Sequence, residues 1–76
     1  MYELTKVTPI DSTKLELIYQ DGERIIVDFA PIIEQGGVFS PLANPQVFSC
    51  VKLGRKGRYI AWGEIDFCAD ALRLGV

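Results

Sequence analysis

The chain has 76 residues, 49% hydrophobic and 24% charged, with a net charge of −2 and no histidine. Such a balance excludes a disordered segment, a bilayer-spanning segment and a protein drawn to polyanions by its overall charge. A single domain is expected, burying roughly 60% of the surface its unfolded chain exposes in one thin core of two layers.

Strand signals dominate the first third. Tyr2 to Thr8 predicts a strand ending at Pro9, followed by turn chemistry at Asp11, Ser12 and Thr13. The start, Met1 to Lys6, alternates polar and apolar residues unlike a signal peptide, so a cytoplasmic location is expected. Leu15 to Tyr19 and Arg24 to Asp28 predict a hairpin around Asp21-Gly22, read as a two-residue type I′ loop. That bend sets Ile18 opposite Ile25, Leu17 opposite Ile26 and Glu16 opposite Val27. Leu15, Leu17, Tyr19 and Ile26 then share one face, and Ile18, Ile25 and Val27 the other. Both faces would be apolar, so each would need a cover, one of them a second chain.

The middle is irregular. Pro31 to Gln35 predicts a short helix stopped by Gly36, and Asn44 caps a turn that starts at Pro45 and reaches Phe48. Val38, Phe39, Leu42, Val47 and Phe48 supply the apolar cover for the sheet. Gly36-Gly37 could form an anion-binding nest, but without a following helix and lysine it reads as helix termination. A second hairpin joins Val51–Leu53 to Tyr59–Trp62 through Gly54-Arg55-Lys56-Gly57. Ile65 to Phe67 adds an extended piece, and Asp70 to Leu72 a closing helical turn. The expected architecture is α+β: a small mixed or antiparallel sheet of about four to five strands, with short helical turns covering one face.

No catalytic apparatus is legible. The commonest general base and metal ligand is missing, so a serine, threonine or cysteine nucleophile has no evident activator. No catalytic, cofactor or metal residue is assigned, no small-molecule substrate is identified, and an enzyme is not expected. Cys50 and Cys68, flanked by apolar residues, read as small buried hydrophobes. Glu64, Asp66 and Asp70 form an acidic group, a weak cation site or, more simply, strand-end and helix-start capping. Lys52, Arg55, Lys56 and Arg58 sit beside Tyr59 and Trp62. They read either as a patch for nucleic acid or an acidic partner, or as a solvated hairpin tip. Trp62 reads as an interface anchor or as the largest piece of the core.

Four features also carry a family likeness. Asp21-Gly22 precedes Val27-Asp28; Gly37-Val38-Phe39 leads to Leu42; Phe48 comes shortly before Val51; Ile60-Ala61-Trp62 precedes Ile65-Asp66 and Asp70-Ala71-Leu72. In this order they resemble the bacterial domain of unknown function 2442 family. The resemblance implies a small cytoplasmic α+β fold without a known activity. Some relatives look like sensors fused to a helix-turn-helix domain, and others lie beside toxin-like genes. Here Cys68 stands where a capping serine or a proline is usual, and Gly63-Glu64-Ile65 replaces a proline-containing stretch. The expected role is a non-enzymatic protein-interaction module, antitoxin-like or accessory, that binds a partner or itself. The alternative is weak nucleic-acid binding. Candidate interaction residues are Trp62, Asp66, Arg55, Lys56 and Arg58.

Overall fold

A computed structural model describes residues 1–75. Its elements run β1 (Leu4–Pro9), β2 (Lys14–Tyr19), β3 (Arg24–Asp28), α1 (Ala30–Gln35), a 3-10 stretch (Gly37–Ala43), α2 (Pro45–Phe48), β4 (Lys52–Leu53), a 3-10 turn (Arg55–Gly57), β5 (Tyr59–Trp62), β6 (Ile65–Cys68) and α3 (Ala69–Arg73). The α+β class holds, but the strands form two three-stranded antiparallel sheets, β1-β2-β3 and β4-β5-β6. A single sheet of four to five strands is therefore corrected. The long irregular segment between β3 and β4 separates the hairpins, and β1 lies beside β4 and the turn that follows it.

The first hairpin differs from the sequence reading by one residue of register. Leu15 pairs with Val27, Glu16 with Ile26, Leu17 with Ile25 and Ile18 with Arg24. The loop has three residues, Gln20-Asp21-Gly22, because Tyr19 N–H donates to Glu23 O at 2.8 Å and Gly22 N–H to Tyr19 O at 3.0 Å. Gly22 takes φ +93°, the left-handed residue that ends a three-residue hairpin loop. Burial explains the choice. In the two-residue register only Ile26 would join Leu15, Leu17 and Tyr19. In the observed one both Ile25 and Val27 do, and each apolar side chain fully buried is worth roughly 1.5–3 kcal/mol.

The outer face of this hairpin is consequently mixed. Ile18 and the 55% exposed Ile26 share it with Glu16 and Arg24, whose side chains pair at 3.5 Å. The expected ribbon with two apolar faces is not formed.

One hydrophobic cluster joins the inner faces of both sheets to the helical segments. Sheet one contributes Leu4, Leu15, Leu17 and Tyr19; the second contributes Ile60 and Trp62; Phe29, Leu42, Phe48, Ala69 and Leu72 come from between and after them. Asn44 caps α2 by accepting from Gln46 N–H at 2.9 Å, which sets Phe48 into the core. Val38, expected to cover the sheet, is instead 74% exposed, because the 3-10 stretch turns Leu42 inward.

Candidate functional site

Trp62 belongs to the core. It is 6% exposed, stacks on Phe48 with centroids 5.5 Å apart, meets Phe29 edge-on at 5.5 Å, and donates its indole N–H to Phe48 O at 2.8 Å. Of the two readings of Trp62, the structure shows the core one. Only its margin reaches the surface, in a depression of about 470 Å³ lined with Val47, Cys50, Lys52, Ala61 and Gly63.

Both cysteines are exposed and unbridged, which corrects their reading as buried hydrophobes. Cys68 alternates with Phe67 along β6 and points outward; apolar neighbours in a strand mark the opposite face, not the residue's own. Cys50 follows the end of α2, with Sγ 3.2 Å from Gln46 O.

The acidic residues disperse. Asp66 is exposed on β6, across from Ala61. Asp70 accepts from Tyr2 N–H at 2.6 Å, tying the start of the chain to α3. Nearby, Arg73 gathers Asp21, Tyr2 and Tyr19 around its guanidinium. Its guanidinium lies 4.3 Å from the Tyr2 ring centre and 4.8 Å from that of Tyr19, and reaches Asp21 at 3.1 Å. The hydrogen bond from Arg73 holds the Asp21 carboxyl below its usual 3.8, with Glu23 N–H assisting. The same bond raises Arg73. Burial raises the Tyr19 hydroxyl, which donates to Ala69 O at 2.9 Å. A depression of about 500 Å³ adjoins this cluster, but its strongest charges already satisfy one another. The arrangement is a latch between chain start, hairpin tip and α3.

The cations divide sharply. Lys14 pairs with Asp11 at 3.9 Å, Arg24 with Glu16 and Arg73 with Asp21. The other five, Lys6, Lys52, Arg55, Lys56 and Arg58, are exposed and have no ion-pair partner among the described residues. All five lie on β1, β4 and the turn after β4, which are neighbours. Gly57 makes this possible. It is buried, and a Cβ there would overlap the backbone of Leu4, so the basic turn rests directly on β1. Lys6 is the member sequence reading missed, since nothing local links it to residues so far along the chain. Three remaining cations against ten acids leave the rest of the molecule at −7. Lys56 takes φ 57° and ψ 23°, the one left-handed non-glycine residue described, at a cost of about 1 kcal/mol. Tyr59, 38% exposed, lies against Gly54 beside these charges.

Fold and surface together define a small α+β domain of two antiparallel sheets whose unpaired cations lie on neighbouring elements. The chain belongs to the family described as "Protein of unknown function (DUF2442)", which matches residues 4–76. Comparison with curated proteins found no match, and comparison with solved structures found none. No helix among the described residues is long and apolar enough to cross a membrane.

Proposed function

We propose that the domain is a non-enzymatic protein-interaction module of the bacterial cytoplasm, antitoxin-like or accessory, whose cationic face meets an acidic surface on a partner. One observation carries this reading: the five cations without an ion-pair partner among the described residues all lie on three neighbouring elements, β1, β4 and the turn after β4, of a molecule otherwise at −7. Unpaired like charges repel, so the arrangement costs stability that a complementary surface would return. The left-handed Lys56 supports it too, because backbone strain of this kind gathers at functional positions. Self-association keeps a place, though the hairpin no longer motivates it; its outer face is mixed.

The test is capture of a partner from the native host by tagged protein at low salt. A variant carrying Glu at Arg55, Lys56 and Arg58 should lose that partner, and added salt should weaken capture by the wild type. A partner retained equally by both proteins would sink the reading. Light scattering distinguishes a second copy from a foreign partner. The second reading, weak nucleic-acid binding, is favoured by the exposed Tyr59 ring, a stacking platform among cations. A mobility-shift titration with a single-stranded DNA oligonucleotide at low salt ends it if no complex forms.

A further inference from the structure

Lys52, one of the five unpaired cations, lines the depression at the margin of Trp62. Its other lining residues are Val47, Cys50, Ala61 and Gly63; two of these side chains are aliphatic and one is the Cys50 thiol. From Lys52 the chain stays extended through Leu53 and Gly54 to Arg55, a rise of about 10 Å. Four unpaired cations, Lys52, Arg55, Lys56 and Arg58, thus lie at the basin and on the stretch that leaves it, while Asp66 stands across from Ala61 on its other side.

We propose that this depression seats an apolar anchor side chain from an extended acidic segment of a partner protein. The anchor rests on Val47, Ala61 and the Trp62 margin. A carboxylate next to the anchor reaches Lys52, and one about three residues further along an extended chain reaches the turn that begins at Arg55. Charge complementarity chooses the occupant. Buried apolar anchors supply affinity at interfaces, while rim charges supply selection and association rate. A nucleic acid offers the basin no branched aliphatic side chain, only flat bases and the small thymine methyl. The inference rests on the cationic-face reading and adds an anchor site to it.

Two cysteines make the test internal. Cys50 lines the basin, whereas Cys68 is exposed on β6 and does not. The probes are a synthetic glutamate-rich peptide with one central leucine, the same peptide with alanine there, and an oligothymidylate. At low salt the leucine peptide should bind roughly tenfold tighter than the alanine peptide. It should slow iodoacetamide alkylation of Cys50 and leave Cys68 unchanged, and Lys52→Glu should weaken both peptides. Equal binding of the two peptides without protection of Cys50 overturns the anchor site and leaves the cationic face standing. If neither peptide binds, both proposals fall. Oligothymidylate binding in preference to the peptides overturns the anchor site and assigns the face to nucleic acid.

Discussion

Gly57 and Gly22 both hold positive φ, at +70° and +93°, yet their surroundings differ. A side chain at Gly22 would meet open space, while one at Gly57 would meet the Leu4 backbone. Gly22→Ala should therefore cost about 1 kcal/mol, the left-handed penalty alone. Gly57→Ala should cost about 3 kcal/mol or more, because a backbone must also move. Urea midpoints at constant slope measure the difference. Equal losses would mean that the turn does not rest on β1. The latch yields a pH prediction. Asp21 titrates below its ordinary value when folded, chiefly through Arg73. Its contribution is present above the unfolded value of 3.8 and fades as pH falls toward the lowered folded one. Asp11, lowered by the Thr13 N–H, acts in the same direction. Asp21→Asn should thus flatten the loss of stability between neutral pH and about pH 3, read from urea midpoints at both ends.

For the elements, the hairpin register makes the sharpest prediction. Ile25 is partly buried against the core and Ile26 faces outward. Ile25→Ala should cost about 2 kcal/mol and Ile26→Ala less than about 0.5 kcal/mol; the reverse order would restore the two-residue bend. Helix caps make another. Asn44→Ala removes the bond to Gln46 N–H and should cost about 1 kcal/mol. Cys68 begins α3 with extended backbone and no side-chain bond. Cys68→Ser should therefore stabilise the domain by up to about 1 kcal/mol, visible as a raised melting temperature. These elements also show what was readable. Asn44-Pro45 and Pro31 placed two helices because capping and proline geometry are local. Asp21-Gly22 located the hairpin but not its register, since the same dipeptide serves two loop lengths. Core burial chose between them.

Across the whole molecule, the unpaired cations join Lys6, near the start of the chain, to Lys52, Arg55, Lys56 and Arg58 far along it. Lys6→Glu should weaken capture of an acidic partner about as much as Arg58→Glu does. Both effects should shrink with salt over a screening length of about 10 Å at 0.1 M. If Lys6 proves silent while Arg58 matters, the partner touches the turn alone. The four basic residues close together in the sequence were legible as a patch. Their lack of counter-charges was not, because ion pairing depends on which strands come side by side.

Local chemistry in the residue order determined the α+β class, the absence of histidine-based chemistry, the two capped turns and most strand positions. Each rests on groups only a few residues apart. Packing alone decided the hairpin register, the outward turn of Cys50 and Cys68, the burial of Trp62 and the recruitment of Lys6. Those outcomes depend on filling one shared core, where a one-residue slip moves every side chain to the opposite side of the sheet.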